Sequence, residues 1–261
     1  MADTPMTDDP RALLDLAVDL VREAGELTLR WFRRPDLDVE RKRDGTPVTE
    51  ADKAAEHQLR AAIADRFPDD TIVGEEEATR AGTSGRSWII DPIDGTKAFT
   101  RGVPLYSNLL AVDDEHGPLI GVINLPALGQ TVYAARGLGC FVDGQPAHVS
   151  SSGALADAYV SSSSYSHWDD GALLRVKHAG CALRTWGDGY GYALVATGAI
   201  EAMVDPIVSW WDVAPMPVIL AEAGGTFTDF AGASDPTTGS AVASGGIDHD
   251  ELLALLAPPS P

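Results

Sequence analysis

Cysteine is scarce in this chain of 261 residues, which contains only Cys140 and Cys181. Two cysteines without metal-type spacing argue against a disulfide framework and predict packed thiols. No stretch reaches the roughly 18 consecutive apolar residues that a membrane-spanning helix needs. Residues 1–10 carry acidic side chains and lack the basic and apolar regions of a secretory signal. We therefore expect a cytoplasmic protein with no membrane partner.

Basic side chains are also in short supply. Lys and Arg number 19 against 39 Asp and Glu, which gives a formal net charge of −20. Such a charge repels polynucleotides and anionic membranes, so no nucleic-acid partner is expected. The charge serves solubility in the first place. If the chain handles an anionic substrate, however, it needs a counter-charge, which bound divalent cations can supply.

Several catalytic motifs are missing as well. The sequence has no Walker A loop, no HExxH and no G-x-S-x-G, and its 6 histidines do not cluster. These absences argue against a nucleotide-dependent kinase, a zinc protease and a serine hydrolase.

Apolar periodicity predicts an α/β fold. A helix should run from the Asp9 cap and Pro10 to about residue 32, and a second from Glu50 to Arg66, after a loop at 44–47. Strands are predicted at 71–73, 87–90, 106–112, 118–125 and 131–135. Beyond them, strands near 158–162, 182–186, 199–204, 226–229 and 240–244 should alternate with helices near 169–178, 190–197, 212–223 and 249–256. We expect one domain at 11–256, with an α+β half at 11–150, an α/β half at 151–256, and flexible ends at 1–10 and 257–261.

The segment WIIDPIDGTKAF, residues 88–99, carries the clearest chemical signal. An apolar strand delivers Asp91 and Asp94, with a proline between them, so that both carboxylates and an intervening carbonyl can converge on a hard cation such as Mg²⁺. The Gly95-Thr96 step then opens a helix, whose free N–H groups can bind phosphate. Taken alone, DPxDG is equally typical of a simple turn.

Two further acidic positions strengthen this interpretation. Glu75 follows the predicted strand at 71–73, although a solvated acidic loop would look the same. Asp212 opens a predicted helix in SWWDVAP, where an N-cap role is equally consistent.

Together, GEEE at 74–77, WIIDPIDGT and the later WWD resemble the inositol monophosphatase superfamily in order and interval, over about residues 11–256. The resemblance implies a layered α-β-α-β-α sandwich and a Mg²⁺-dependent phosphatase with two or three ions per site, Mn²⁺ being possible. It implies metal binding by Glu75, Asp91, Asp94, Asp212 and the Ile93 carbonyl, phosphate binding by Gly95 and Thr96, and water activation involving Glu75, Asp52 and Thr96. Asp52 can also cap a helix, and this role is compatible with water activation. A homodimer is also implied.

Within the superfamily, DGTKAFTRGVP, GDGYGYALVATG and DPIVSWWD resemble histidinol-phosphate phosphatases of the actinobacterial type. Asp188 and Asp205 would then face the ammonium and imidazole of histidinol phosphate, across from the metal end. Arg184 would approach the phosphate or a subunit interface. Lys97 replaces the threonine that is commonest in inositol phosphatases. The alternatives are an inositol-1-monophosphatase, which also uses acidic residues toward its substrate, and a non-catalytic metal-binding member of the family.

Overall fold

The computed structural model describes residues 9–42, 45–151 and 153–257. Across these residues the α-helices are α1 Pro10–Leu29, α2 Glu50–Arg66, α3 Thr96–Thr100, α4 Asp170–His178, α5 Asp188–Ala196, α6 Trp210–Val213, α7 Met216–Ala223 and α8 His249–Leu256, with short 3-10 helices at Pro126–Leu128 and Tyr165–His167. None of the helices in this described part is long and apolar enough to cross a membrane.

The strands form three sheets. A hairpin pairs β1 Val39–Arg41 with β2 Pro47–Thr49. A seven-stranded sheet follows in chain order: β3 Thr71–Gly74, β4 Ser87–Asp94, β5 Ser107–Asp114, β6 Gly117–Leu125, β7 Gln130–Ala135, β8 Gly139–Val142 and β9 Gln145–Pro146. A five-stranded sheet has the order β11-β10-β12-β14-β13, from β10 Tyr159–Ser161, β11 Ala182–Arg184, β12 Ala202–Asp205, β13 Thr226–Thr228 and β14 Ala241–Ser244.

Side-chain alternation along the strands builds five layers. In β5, Leu110 packs toward α1 and α2, whereas Leu109 packs toward α5 and α7. In β12, Met203 joins the same central helical layer, and Val204 faces α4 and α8 on the outer side. The period of two that is characteristic of strands thus buries both faces of the seven-stranded and the five-stranded sheet. The result is the α-β-α-β-α sandwich and α/β fold class predicted from the sequence.

The predicted helices and strands are present, but many of their ends differ by a few residues; β4, for example, continues past the predicted end at 90 to Asp94, and β12 begins at Ala202 and not at 199. Asp9 caps α1, as predicted, but the helix ends at Leu29 and a turn follows. The predicted helix at 212–223 is split at Pro215, which ends α6 early and starts α7, and α6 itself begins at Trp210. The predicted loop at 44–47 is wrong at Pro47, which begins β2; Asp44 lies outside the described residues.

The short strands β1, β8 and β9 have no counterpart among the predictions. β1 is fully exposed, so that it carries no hydrophobic pattern. The predicted flexible ends fall largely on residues 1–8 and 258–261, which lie outside the described residues. The division into halves at 150 stays a prediction.

Candidate active site

The DPIDG motif forms the irregular end of β4. Strand pairing with β5 runs regularly to Asp91, opposite Leu109, then shifts register before Asp94, opposite Ser107. Pro92 lacks a backbone N–H and cannot continue the ladder, which places the irregularity between the two acids. The Ile93 N–H donates to Asp91 Oδ1 at 3.0 Å, and the Ser107 hydroxyl donates to Asp94 Oδ2 at 2.9 Å. Both carboxylates are therefore held in place by the protein.

Asp212 reaches the same point from α6. The predicted N-cap role of Asp212 is wrong, because Ser209 is the N-cap of α6; Asp212 is the third helical residue, and its Oδ2 accepts a capping-box hydrogen bond from the Ser209 N–H at 2.8 Å. At the same time, one carboxylate oxygen of each of Asp91, Asp94 and Asp212 lies within 4.8 Å of the others. The helix cap thus orients an acid toward the motif.

Burial and mutual repulsion raise the pKa of all three carboxyls. For Asp91 burial dominates, and Glu75, Asp94 and Asp212 add repulsion. For Asp94 the pKa is raised by burial and then by Asp188 and Asp212. Burial lifts the pKa of Asp212 to about 7, with Glu75 contributing. Such a cluster is stable only when protons or metal cations neutralise it.

Glu75 follows β3 and lines the same cleft, outside the trio of close carboxylates. Its Oε1 accepts from the Lys42 ammonium at 2.7 Å, and the same ammonium binds Glu76 at 2.6 Å. Lys42 comes from the β1–β2 hairpin, so this hairpin is tied to the acidic edge of the cleft.

Asp52 and Thr96 meet at the start of α3. Asp52 Oδ2 accepts from the backbone N–H and the hydroxyl of Thr49, which confirms its capping role in α2. Its Oδ1 lies 3.5 Å from Thr96 Oγ1, which is 3.0 Å from the Ile93 carbonyl. Burial raises the pKa of Asp52 to about 6. One hydroxyl proton therefore has two acceptors.

Asp188 lies beside Gly95 and Asp94 and not across the cleft from them. It is the first residue of α5 and has a left-handed φ of 55°. A Cβ built on Gly95, whose own φ is 82°, would approach Asp188 Oδ2 to 2.8 Å. The following N–H, of Gly189, donates to Asp94 Oδ2. Burial and the nearby Asp205 raise the pKa of Asp188 to about 6, and Lys97 opposes them.

Asp205, at the end of β12, is almost fully bonded within the protein. Its Oδ1 accepts from the Ser162 hydroxyl at 3.2 Å and from the Ser163 N–H at 2.8 Å. Its Oδ2 accepts from the Ser163 hydroxyl at 3.1 Å and from the buried Tyr192 hydroxyl at 3.0 Å. A carboxylate offers about four acceptor positions. Asp205 lines the cleft, but Asp188 has more acceptor capacity left for a substrate.

Arg184 does not line the cleft within this chain. Its guanidinium lies over the Tyr159 and Trp186 rings, 5.0 and 5.5 Å from their centroids, and these rings stack on each other at 6.0 Å. Arg184 was predicted to approach either the phosphate or a subunit interface. The structure places it on a surface with exposed aromatic side chains, and its role stays a prediction.

The cleft that collects these groups has a volume of about 530 Å³. Its acidic lining residues are Glu75, Asp91, Asp94, Asp188, Asp205 and Asp212, and its other ionisable lining residues are Lys97, Arg101 and His167. Acids outnumber bases, so the lining attracts cations and repels anions unless cations are bound.

Sequence reasoning missed the residues that position these acids. Ser107 and Gly189 hold Asp94, Ser163 holds Asp205, and Lys42 binds Glu75. Except for Gly189, no local pattern marks them, because each partner lies at least 13 residues away along the chain. Gly189 belongs to the GDGYGY segment, which resembles histidinol-phosphate phosphatases.

Comparison with known proteins settles the family. The model of the inositol monophosphatase family matches residues 9–259. The chain belongs to this family. It is 42% identical to the histidinol-phosphatase of Chlorobaculum parvum, over 88% of this chain and 91% of that protein. It is also 42% identical to the histidinol-phosphatase of Mycobacterium tuberculosis, over 93% and 97%.

A solved structure, the IMPase of Thermotoga maritima, superposes with a TM-score of 0.85 at 32% sequence identity, covering 94% of this chain and 96% of that one. The likeness confirms the predicted fold and the resemblance to the inositol monophosphatases. The chain is a phosphoric monoester hydrolase of this family, as the sequence predicted.

Proposed function

We propose that this protein hydrolyses L-histidinol phosphate to L-histidinol in a magnesium-dependent reaction. The observation that carries the proposal is the trio of buried Asp91 and Asp94 with partly buried Asp212, of which one carboxylate oxygen each lies within 4.8 Å of the others, beside Gly95 and Asp188. It supports a cation site at the three acids, a phosphate site beside it at Gly95, and a substrate contact next to both at Asp188.

The donor set fits Mg²⁺. Carboxylates are the ligands that this ion prefers, and Asp91, Asp94 and Asp212 are prearranged by hydrogen bonds from the protein. Glu75 and the Ile93 carbonyl complete the proposed ligand set, and both residues line the same cleft. We propose two or three ions per site, with Mn²⁺ as a substitute. Bound ions supply positive charge to the phosphoryl oxygens and make the attacking water more acidic.

The chain itself contributes groups that hold the phosphate and move the proton. Gly95 and Thr96 begin α3, where backbone N–H groups lack partners inside the helix and are available to phosphate oxygens. Near pH 7, Asp52, with its pKa of about 6, is mostly ionised and can accept a proton by way of Thr96 Oγ1. We propose that Asp52, Thr96 and Glu75 orient and deprotonate the attacking water.

The position of Asp188 favours a cationic substrate. In histidinol phosphate the ammonium is separated from the ester oxygen by two carbon atoms, so it must lie close to the phosphate. Asp188 lies immediately beside Gly95 at the proposed phosphate site and can form a charge-assisted hydrogen bond to such an ammonium. The histidinol-phosphatase names of relatives at 42% identity support the same substrate.

An inositol phosphate is the second candidate, because Asp188 can also accept hydrogen bonds from a hydroxyl. The fold-level likeness to the Thermotoga maritima IMPase keeps this candidate open. A panel comparing kcat/KM for histidinol phosphate, inositol 1-phosphate, fructose 1,6-bisphosphate and 3′-phosphoadenosine 5′-phosphate separates them. We expect histidinol phosphate to lead. A lead for inositol 1-phosphate would overturn the substrate assignment and leave the phosphatase chemistry intact.

We further propose that the protein acts as a cytoplasmic homodimer. Tyr159 and Trp186 are exposed and stack on each other, and the Arg184 guanidinium lies over both rings. Such a surface suits an interface core with an arginine anchor. Sedimentation equilibrium tests this assembly, and a monomer at micromolar concentration would contradict it.

A further inference from the structure

A row of buried polar side chains crosses the seven-stranded sheet behind the metal-binding turn. Asn108 of β5, Asn124 of β6 and Thr131 of β7 occupy directly opposed positions on adjacent strands. Their exposed fractions are 0%, 4% and 3%. Burying such groups is unfavourable unless each finds hydrogen-bond partners, so the row requires an explanation.

The row begins at the DPIDG turn. The amide of Asn108 donates to the Pro92 carbonyl at 2.6 Å, and its Oδ1 accepts from Asn124 Nδ2 at 3.0 Å. Thr131 Oγ1 donates to Asn124 Oδ1 at 3.1 Å and accepts from Arg22 Nε of α1 at 3.0 Å. Every link is of hydrogen-bond length.

Both ends of the row fix its direction. The Pro92 carbonyl can only accept a hydrogen bond, and the Arg22 guanidinium can only donate one. Asn108 must therefore turn its amino group toward Pro92, which leaves only one consistent orientation for Asn124 and Thr131. At the outer end, Arg22 is partly exposed and lies 3.6 Å from Asp143. Each side chain of the row thus has hydrogen-bond partners on both sides, and the row has a single arrangement.

Helix α1 packs against the middle of the row. A Cβ built on Gly25 would lie 2.2 Å from Asn124 Nδ2 and 2.9 Å from Asn108 Oδ1. Only glycine allows the helix to approach this closely, so the asparagine pair is enclosed and has little room to take another rotamer.

The reason for the row lies in the strand it reaches. Pro92 stands in the gap of the β4–β5 ladder between Asp91 and Asp94, where regular pairing is interrupted. Asn108 occupies the opposing position in that gap. Its side chain donates to the Pro92 carbonyl, which has no partner in the β4–β5 ladder. Apolar side chains of similar shape would pack there equally well but would leave the Pro92 carbonyl unpaired.

We propose that Asn108, Asn124 and Thr131 are positioning residues that hold the Pro92 carbonyl and thereby fix the separation of Asp91 and Asp94 before the cations bind. This inference rests on the proposed metal site and concerns its preorganisation. Groups that orient metal ligands from behind commonly change metal affinity by about 10-fold or more when they are removed.

The test measures Mn²⁺ affinity of the metal-free full-length protein by electron paramagnetic resonance, together with the melting temperature. Asn108→Leu should raise the Kd for Mn²⁺ by about 10-fold. Thr131→Val, which breaks the row two links further away, should raise the Kd by a smaller factor of about 3. The matched control is Thr228→Val, an identical change at a buried hydroxyl of β13 that binds the Asp229 carbonyl and His249.

The outcomes separate positioning from general stability. We expect Thr131→Val to weaken Mn²⁺ binding and Thr228→Val to leave it unchanged at a comparable loss of melting temperature. Equal Kd values in Thr131→Val, Thr228→Val and wild type would overturn the proposal, even if Asn108→Leu fails to fold. The proposed function is tested separately, by Mn²⁺ binding and histidinol phosphate hydrolysis of the wild-type protein. A failure of the proposed function would appear in the wild type, whereas a failure of the positioning role would appear only in the comparison of the variants.

Discussion

Removing the metal should make the stability of this protein fall as the pH rises through the neutral range. Asp212 has an ordinary pKa of 3.8 and a folded-state pKa of about 7, raised by burial, while Asp52 and Asp188 are raised to about 6. A carboxyl whose pKa is raised by folding binds its proton more tightly in the folded state. Its full stability is therefore present below the unfolded pKa and is lost as the pH rises toward the folded pKa.

The size of the loss follows from the Asp212 shift. Between about pH 5 and pH 7 the folded protein retains a proton that the unfolded chain has released, over about 2 pH units at 1.36 kcal/mol each. The loss is about 3 kcal/mol, with further contributions from Asp52 and Asp188 that overlap because the groups repel one another. For a domain of this size about 3 kcal/mol corresponds to a decrease of roughly 10 °C in melting temperature.

Differential scanning calorimetry of the metal-free protein at pH 5 and pH 8 measures this decrease. Saturating Mg²⁺ should raise the melting temperature more at pH 8 than at pH 5, because the ions replace the protons. Asp212→Asn, which keeps the acceptor that caps α6, should flatten the slope. Repeating the scans in about 0.5 M NaCl screens general surface repulsion, which would otherwise give a slope of the same sign. A metal-free melting temperature that stays constant or rises from pH 5 to pH 8 in wild type would refute the reasoning.

Three substitutions extend the account. Asp94→Asn should lower kcat by at least about 10³-fold, roughly 4 kcal/mol, with an unchanged circular dichroism spectrum, and near-normal turnover at saturating Mg²⁺ would contradict the metal role. Asp188→Asn should lower kcat/KM for histidinol phosphate by about 1.5–3 kcal/mol and affect p-nitrophenyl phosphate much less, whereas equal losses on both would remove Asp188 from substrate recognition. Gly95→Ala, which places a methyl group 2.8 Å from Asp188 Oδ2 at a left-handed φ of 82°, should lower activity on both substrates; full activity would show that this close approach is not required.

Much of the fold was predictable because it depends on short-range periodicity. The apolar spacing in α1 and the capping box at Thr49 and Asp52 are local features, and the structure places both helices accordingly. The break at Pro215 was missed although proline carries a clear local signal. The β1–β2 hairpin, by contrast, has an exposed first strand, and nothing in its composition separates it from a loop.

The acidic site was predictable in its members and less so in its geometry. Asp91 and Asp94 are close in sequence, and the strand end brings them together. Asp212 lies 118 positions after Asp94 in the sequence. Only the family resemblance indicated that its side chain lies beside theirs. The position of Asp188 beside Gly95 follows from the packing of α5 against β5, a long-range contact that no local pattern encodes.

The hydrogen bonds of Asp205 and the asparagine row illustrate the same limit. Asp205 is an acid near the substrate segment, so the sequence suggested a substrate contact. Ser163 and Tyr192, which occupy its acceptors, are 42 and 13 positions away. Asn108 and Asn124 have no motif at all, and their meaning depends on strand register and on Pro92 in the neighbouring strand.

Phosphate release from histidinol phosphate, with and without divalent cations, tests the central claim most directly. The account predicts no measurable release in excess EDTA, full recovery when Mg²⁺ is added back, and little activity with Ca²⁺, whose larger radius and looser geometry suit the site poorly. Release in EDTA at the rate seen with Mg²⁺ would contradict it, because the buried acids Asp91, Asp94 and Asp212 cannot accommodate a phosphate ester without bound cations.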